Sequence, residues 1–503
     1  MRTSRVALAA VLLAAAVLRF WALGRGIPYS VQVDEPEIVE RAFNMMRHGS
    51  LNPHGFFDYP GLSLYLQFVV SCVRFLTGAI SGKWTSLDQA STASFYLWGR
   101  AVVATFGVAT VLLVYQIGMR WGGRHALLAA GLFAVLPLHV RYSHYVLTDT
   151  PLTFFVTLTF LLSLAAHERN TLGAFAWAGA AAGLAAATKY NGGVALVMPL
   201  LACWMTVPAR PSRRAAASAA IVACVAAFLV AAPYTILDLP GFLNAFARLA
   251  GEYRNIRPHE PIWLLYSKLL LRNAFSWPAL LLAAGGLGLG LVRIVRGPGR
   301  VRWAVAVVFP LVYLWMLSGQ GIVYARYLLP VVPSLCILAA AAVVSGVSLL
   351  RRYEIARAPR TALIAGLTIA AVLPPAVMSI RWDRDAARRS TVDDAYTWII
   401  QNVPRESSVV LESRALLLLP AGYGQSRIVP QLTAGTYESW RDEGVQYLVA
   451  SSQRYGPYFD TPATFPREYA AYMRIFVQSR ELVRFTPSKD LAGPEIRIFK
   501  VIP

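Results

Sequence analysis

Residues 97–119, LWGRAVVATFGVATVLLVYQIGM, form an apolar run that contains one arginine and no acidic residue. A run of about 20 apolar residues is long enough to cross a bilayer as a helix. Similar runs recur through the chain, which is 56% hydrophobic and only 15% charged. A soluble protein of 503 residues would carry more charge on its surface. The sequence therefore predicts a mainly α-helical polytopic membrane protein.

Eleven runs are predicted to span the membrane. They lie at residues 6–23, 97–119, 126–140, 151–166, 172–187, 192–207, 216–237, 270–292, 303–317, 328–349 and 361–379. A further apolar run at 62–80 carries Gln67, Ser71 and Arg74 on a partly polar face. This pattern is typical of an amphipathic helix that lies along the membrane surface, so we predict an interfacial helix there.

The short loops between these spans predict the orientation of the chain. Arginine occurs in every loop that is cytoplasmic if the N-terminus is inside: 120–124, 167–170, 210–214, 293–302 and 351–360. These clusters account for much of the net charge of +21, so the charge does not indicate nucleic-acid binding. Arg19 interrupts the first span, which we interpret as an uncleaved anchor. We expect a multi-pass protein of the cell inner (plasma) membrane with a cytoplasmic N-terminus and an external C-terminus.

The composition changes near residue 381, which predicts two domains. Residues 1–380 form the membrane domain, including an external loop at 24–96. Residues 381–503 carry charges, turns and short apolar patches, and they are numerous enough for a small external (periplasmic) α/β domain. A helix is predicted at 392–402, and strands are predicted at 408–412, 446–450 and 496–501.

Two adjacent acids, Asp34 and Glu35, follow the first span in a chain that has few carboxylates. One interpretation is a turn before Pro36, or acids that favour the N-terminus of a helix beginning there. The other is catalytic: one carboxylate acts as a general base on a hydroxyl, and its neighbour orients it.

Basic residues lie at three external span ends, although positive charge is expected to avoid that side. Arg141, Lys189 and Arg326 either extend to lipid headgroups or form a basic pocket for a lipid phosphate, together with Tyr190 and Tyr324. The chain has only five lysines, which makes Lys189 conspicuous.

The signals for a metal or a disulfide are weak. Asp149, two residues before Pro151, is predicted to cap a helix, and His144 lies nearby. His48, His54 and Asp58 can be combined with Asp34 around a divalent cation, but their spacing defines no ligand set. The four cysteines lie in apolar runs without paired spacing, so neither a disulfide framework nor a zinc site is expected.

Five segments carry a resemblance to a known family. They are Val33-Asp34-Glu35-Pro36, Phe57-Asp58-Tyr59-Pro60-Gly61-Leu62, Leu147-Thr148-Asp149-Thr150-Pro151-Leu152, Ala187-Thr188-Lys189-Tyr190-Asn191-Gly192 and Ala325-Arg326-Tyr327-Leu328-Leu329-Pro330. With residues 395–404, they resemble the dolichyl-phosphate-mannose protein mannosyltransferase and aminoarabinose transferase-like glycosyltransferases of the GT-C fold.

The resemblance implies that the chain transfers a sugar from a polyprenyl-phosphate-linked donor to an external hydroxyl of a protein, lipid or cell-envelope glycan, with inversion. It implies Asp34 as the general base and Glu35 as its support. Residues implied to bind the donor phosphate are Lys189, Arg326, Arg141, Tyr190 and Tyr324. Candidate supporting residues are Asp58, Tyr59, His144, Asp149, Arg257 and His259. No cofactor is implied with certainty. The alternative function is a transporter or flippase for a lipid-linked or anionic substrate.

Overall fold

The computed structural model describes residues 2–27, 32, 34–90, 93–206, 211–255, 260–352, 357–412, 423 and 426–502. The chain forms two compact units. The first contains residues 1–23 and 37–382, and the second contains residues 24–36 and 383–503. The second unit thus includes the acid pair, which the sequence analysis assigned to the membrane domain.

The first unit is built from helices. In chain order these are α1 (Arg2–Phe20), α2 (Pro36–His48), α3 (Gly61–Ile80), α4 (Ala93–Gly118), α5 (Gly123–Ala134), α6 (Pro137–Tyr142), α7 (Asp149–Arg169), α8 (Leu172–Thr188), α9 (Val197–Met205), α10 (Arg213–Ala231), α11 (Tyr234–Leu237), α12 (Leu239–Asn255), α13 (Ile262–Asn273), α14 (Trp277–Arg296), α15 (Arg300–Ser318), α16 (Val332–Arg352) and α17 (Arg357–Ala387). Short 3₁₀ turns at Leu87–Gln89, Tyr190–Leu196 and Ala325–Val331 complete it.

Each of the eleven predicted spans coincides with one or two of these helices, so the mainly helical membrane architecture is confirmed. In the described residues, eight helices are long and apolar enough to cross a membrane, and α3 is one of them. Two shorter apolar helices, Leu172–Thr188 and Tyr190–Met205, lie where further spans are predicted. The interfacial placement of α3 stays a prediction.

Two predicted spans have different boundaries in the structure, and proline explains both differences. The span predicted at 126–140 is α5 followed by α6, because Pro137 begins a new helix. The span predicted at 270–292 begins instead at Trp277, where Pro278 occupies the first turn of α14. Residues 270–273 belong to α13.

Arg19, which interrupts the first apolar run, is fully buried and fixes the end of α1. Its guanidinium donates to the carbonyl of Ala134 at 2.8 Å and lies 3.1 Å from Nδ1 of His139. Arg100 holds the next residues by donating to the Leu23 carbonyl at 2.8 Å. A buried arginine is tolerated in an apolar helix when backbone carbonyls accept its hydrogen bonds.

Small residues allow α8 and α10 to pack backbone against backbone. A Cβ atom at Gly179 would overlap the carbonyl of Ala220, and one at Gly183 would overlap the carbonyl of Cys224. Glycines four residues apart are typical of close contacts between membrane helices.

We expect Gly179→Leu to lower the stability of the full-length protein in detergent by about 1–3 kcal/mol, because the leucine has no space against α10. The melting temperature measures this change. Gly173→Leu is the matched control on the same helix, since no atom lies within 4 Å of the added Cβ. Equal melting temperatures for the two variants would contradict the proposed packing.

The second unit contains an α/β domain. Its helices are α18 (Thr391–Asn402), α19 (Tyr437–Asp442), α20 (Ser452–Asp460) and α21 (Pro466–Gln478). Its strands are β1 (Arg389–Ser390), β2 (Val409–Glu412), β3 (Arg427–Val429), β4 (Tyr447–Ser451), β5 (Arg480–Phe485), β6 (Leu491–Ala492) and β7 (Ile496–Lys500). The predicted helix and three predicted strands correspond to α18, β2, β4 and β7, which confirms the small C-terminal α/β domain.

Five strands form one mixed sheet in the order β3-β2-β4-β7-β5. Strand β2 runs parallel to β3 and β4, whereas β7 runs antiparallel to β4 and β5. Alternate residues of β2 enter two separate cores, Val409 and Leu411 on one face and Val410 on the other. This alternation is expected of a strand in a sheet that is covered on both faces.

An ion pair at the edge of this sheet makes its stability depend on pH. Hydrogen bonds from Arg484 and then Arg497 hold the pKa of the Glu481 carboxyl at about 2, below its ordinary value of 4.5. Because the folded-state pKa is lowered, the stabilisation is complete above about pH 4.5 and is lost as the pH falls towards 2.

We therefore expect Glu481→Gln to increase hydrogen exchange in β5 at pH 7, equivalent to a loss of about 1–3 kcal/mol. The difference from the wild type should disappear near pH 2. Glu443→Gln is the control, since Glu443 forms an exposed ion pair with Arg427. An effect of Glu481→Gln that does not vary with pH would contradict the ion-pair origin.

Candidate active site

The acid pair lies in a tight turn immediately before α2. Glu35 is fully buried, and its Oε2 accepts a hydrogen bond from the backbone N–H of Gln32 at 2.8 Å. Asp34 is half-buried, and its backbone N–H donates to Oε1 of Gln32 at 2.6 Å. The two acids therefore differ in access: Glu35 is fixed inside the turn, and Asp34 is the more accessible carboxylate.

The next acid along the chain, Glu37, is an ordinary surface residue. It pairs with Arg41 one helical turn later at 2.7 Å, and both side chains are 40% or more exposed. Such an exposed pair contributes little to stability. Glu37 therefore provides a comparison for the acid pair that precedes it.

In the first unit, one buried carboxylate holds two of the predicted basic residues. Nζ of Lys189 lies 2.7 Å from Oδ1 of Asp149, and Nε of Arg326 lies 3.7 Å from Oδ2. The side-chain exposures are 14%, 13% and 3% for Lys189, Arg326 and Asp149. We call these three residues the Asp149 cluster. Two cations and one carboxylate carry a net charge of +1 in a largely buried site.

Three separate breaks between helices bring the cluster together. Asp149 is the first residue of α7, Lys189 follows the last residue of α8, and Arg326 lies in the 3₁₀ turn before α16. The prediction that Asp149 is the N-cap is wrong, because Thr148 occupies that position without a side-chain cap. The Asp149 carboxylate is used by the two cations instead.

Aromatic rings cover the two cations. Lys189 lies 4.4 Å from the ring centre of Tyr327, and Arg326 lies 4.6 Å from that of Tyr324. The Tyr327 hydroxyl is 2.8 Å from the hydroxyl of Tyr253, which belongs to α12. Sequence reasoning missed Tyr253, which no motif marks and which lies 74 residues from its partner in the chain.

The neighbours of Lys189 extend the polar surroundings. Asn191 donates through Nδ2 to the Tyr313 hydroxyl at 2.8 Å, and its buried Oδ1 has no hydrogen-bond partner in the described part of the chain. Tyr190 points its hydroxyl to the Phe57 carbonyl at 2.9 Å, and its ring contacts Phe242. Tyr190 thus has its hydrogen bond with the loop before α3 rather than with the cluster.

Arg141 lines a different cavity from the Asp149 cluster. This pocket has a volume of about 140 Å³, and Tyr142, Arg272, Ala325 and Trp382 also line it. Arg272 was not predicted. It falls in a run that the sequence analysis interpreted as a span, so it was not considered as an external residue.

The candidate supporting residues have distinct places. Asp58 forms an ion pair with Arg248 of α12, and the ring of Tyr59 packs edge-on against Phe56 at 5.9 Å. His144 is buried, with its two ring nitrogens 2.8 Å from the carbonyl oxygens of Val140 and Trp21. Arg257 and His259 lie outside the described residues.

A divalent cation needs several oxygen or nitrogen ligands at one place. Within the part of the chain that the structure describes, no three His, Cys, Asp or Glu residues are grouped in this way. The polar residues in that part instead form an acid turn, an ion cluster and an arginine-lined pocket.

A family comparison matches residues 10–245 to the model of the dolichyl-phosphate-mannose-protein mannosyltransferases. The matched region contains Asp34, Glu35, Asp149 and Lys189, whereas Arg326 lies beyond it. A comparison with curated protein sequences finds no match.

Solved structures of membrane glycosyltransferases share the fold. ArnT from Cupriavidus metallidurans, bound to undecaprenyl phosphate, has a TM-score of 0.57 and 15% identity, with 99% of this chain and 97% of that chain covered. The oligosaccharyltransferase AglB from Archaeoglobus fulgidus, in complex with an inhibitory peptide and a dolichol-phosphate, has a TM-score of 0.56 and 14% identity, with 98% and 74% covered. At these identities, the likeness concerns the fold. The chain therefore has the fold of these membrane glycosyltransferases, and its residues 10–245 are similar to the dolichyl-phosphate-mannose-protein mannosyltransferases.

Proposed function

We propose that this protein is a glycosyltransferase that moves a sugar from a polyprenyl-phosphate-linked donor to a hydroxyl group on the external side of the inner membrane. The acceptor belongs to a protein, a lipid or a cell-envelope glycan. The N-terminus is cytoplasmic and the C-terminal domain is external. The transfer inverts the configuration at the anomeric carbon, because the acceptor oxygen attacks from the side opposite the leaving phosphate.

The observation that carries this proposal is that Lys189 and Arg326 come together at one buried carboxylate, 2.7 Å and 3.7 Å from the Asp149 oxygens. Two cations from separate breaks between helices, close together and 14% and 13% exposed, fit the charge of a lipid phosphate. Lys189 and Arg326 then stabilise the negative charge that develops on the phosphate oxygen as the sugar leaves. The Tyr324 ring lies 4.6 Å from the Arg326 guanidinium and stabilises its charge through a cation–π interaction.

The relatives' ligands agree with this chemistry. The ArnT structure holds undecaprenyl phosphate, and the AglB complex holds a dolichol-phosphate. Both are phosphate monoesters of long isoprenoid alcohols. A donor of the same class would place its chain in the bilayer and its phosphate near the breaks between helices that carry Lys189 and Arg326.

Asp34 acts as the general base in this proposal. Its carboxylate takes the proton from the acceptor hydroxyl while the oxygen forms a bond to the anomeric carbon and the carbon–oxygen bond to the phosphate breaks. Glu35 fixes the turn through its hydrogen bond with Gln32 and thereby positions Asp34. The different access of the two acids supports this division of roles.

The direct test is to incubate the purified full-length protein with a synthetic polyprenyl-phosphate sugar and a membrane extract as acceptor. Release of free polyprenyl phosphate, detected by mass spectrometry, is the expected result. NMR of the glycosylated product should show an anomeric configuration opposite to that of the donor. Retention of configuration would contradict the inverting mechanism, and no release with any of a panel of hexose and pentose donors would contradict the donor class.

A further inference from the structure

The pocket that contains Arg141 is a second basic site in the first unit. Arg141 enters from the last turn of α6, and Arg272 enters from the last turn of α13. The rest of the wall is largely apolar or aromatic and includes Leu138, Met378 and Trp382. Its volume of about 140 Å³ is room for several water molecules, and so for a phosphate group.

In the Asp149 cluster a carboxylate pairs with the two cations, whereas Arg141 and Arg272 have no such carboxylate among the described residues. No acidic side chain lines the pocket among the residues that the structure describes. Among the described residues, neither guanidinium forms an ion pair; Arg141 is 5.8 Å from the ring centre of Tyr142. Both side chains are exposed. Two like charges that line one cavity repel each other unless an anion lies between them.

Helix geometry explains only part of this arrangement. The C-terminal end of a helix favours a cation in its last turn, and each arginine has such a position. That effect acts on each helix separately and gives no reason for two guanidinium groups to line the same cavity. A phosphate between the two guanidinium groups gives such a reason, because each guanidinium group can form two parallel hydrogen bonds with phosphate oxygens.

The pocket adjoins the Asp149 cluster but has its own cations. Ala325 in its wall precedes Arg326, and the carbonyl of Tyr142 accepts a hydrogen bond from Thr150, next to Asp149, at 3.0 Å. Lys189 and Arg326 are mostly buried and share a carboxylate, whereas Arg141 and Arg272 are exposed and do not.

We propose that Arg141 and Arg272 form a binding site for the phosphate group of an anionic lipid, separate from the phosphate site at Lys189 and Arg326. The apolar wall contacts the lipid's alkyl chains and the two guanidinium groups hold its phosphate oxygens. This inference rests on the proposed function and deepens it: the family resemblance implies that Arg141 binds the donor phosphate, whereas here Arg141 and Arg272 bind a lipid phosphate in a separate pocket. Its test measures lipid binding without sugar transfer, so the outcome does not depend on the reaction.

The experiment measures lipid affinity by native mass spectrometry of the full-length protein in detergent. The probes are undecaprenyl phosphate, phosphatidylglycerol and undecaprenol, which has no phosphate. We expect Arg272→Gln and Arg141→Gln each to weaken binding of a phosphate-bearing lipid by roughly tenfold or more. Undecaprenol binding should not change. Arg272→Lys should recover part of the affinity, because it keeps the charge but loses the paired hydrogen bonds.

Arg124→Gln is the control, since Arg124 is an exposed arginine that does not line the pocket. Weaker binding of undecaprenyl phosphate in the pocket variants assigns the site to the lipid carrier, and weaker binding of phosphatidylglycerol assigns it to a bilayer lipid. Unchanged affinity for both lipids in both pocket variants, with melting temperatures equal to that of the wild type, overturns the proposal.

Discussion

Asp34→Asn is expected to lower kcat for sugar transfer by roughly 10²- to 10⁴-fold, which corresponds to about 3–5 kcal/mol in the activation barrier. The amide keeps the size of the side chain but cannot accept a proton at neutral pH. Donor binding should remain within about twofold of the wild type, because Asp34 is not among the residues that are proposed to hold the phosphate, Lys189 and Arg326. Rates and the apparent KM for the polyprenyl-phosphate sugar measure the two effects separately.

Two neighbouring acids serve as comparisons for this variant. Glu37→Gln removes a carboxylate three residues away that pairs with Arg41 on the helix surface, and it should leave kcat unchanged. Glu35→Gln replaces the charged acceptor of the Gln32 N–H by a neutral amide oxygen, so a smaller loss of kcat is expected, caused by a less well-positioned Asp34. If Asp34→Asn kept full activity, the base would have to be another residue.

The sequence was sufficient to predict the fold class because apolar runs are long and repeated. The ends of the helices were less predictable where proline divides an apolar run, as at Pro137 and Pro278. The residues on both sides of the break are apolar, so hydrophobicity alone does not show where one helix ends and the next begins. The C-terminal strands were recognisable from short apolar patches that are bounded by turns.

The parts of the site were predictable, but their pairing was not. Asp149 and Lys189 were both candidates, yet their ion pair joins positions 40 residues apart, and no periodic pattern in the sequence encodes such a contact. Tyr253 and Arg272 were missed for the same reason. Their roles depend on neighbours from other helices, the Tyr327 hydroxyl and the Arg141 pocket.

Lys189→Met is expected to raise the apparent KM for the donor by about 10- to 100-fold, which is the usual contribution of a charge-assisted hydrogen bond. Methionine keeps much of the apolar stem of lysine, so contact with the Tyr327 ring is largely preserved. The variant then keeps only one of the two cations that are proposed to hold the phosphate, and that cation lies beside the Asp149 carboxylate. Lys268→Met is the matched control, because Lys268 pairs with Glu260 at an exposed position.

A double variant separates phosphate binding from a purely structural role of Lys189. If Lys189 only donates a hydrogen bond to the Asp149 carboxylate, then Asp149→Asn should restore the function of Lys189→Met, because no buried carboxylate is then left without that donor. If Lys189 binds the phosphate, the double variant regains the +1 charge through Arg326 alone but still lacks one donor. The KM of the double variant should then lie between those of the wild type and Lys189→Met. The coupling energy between the two substitutions should be well below the free-energy change that Lys189→Met causes alone. Recovery of wild-type KM and kcat would show that Lys189 stabilises Asp149 and that the donor phosphate is bound elsewhere.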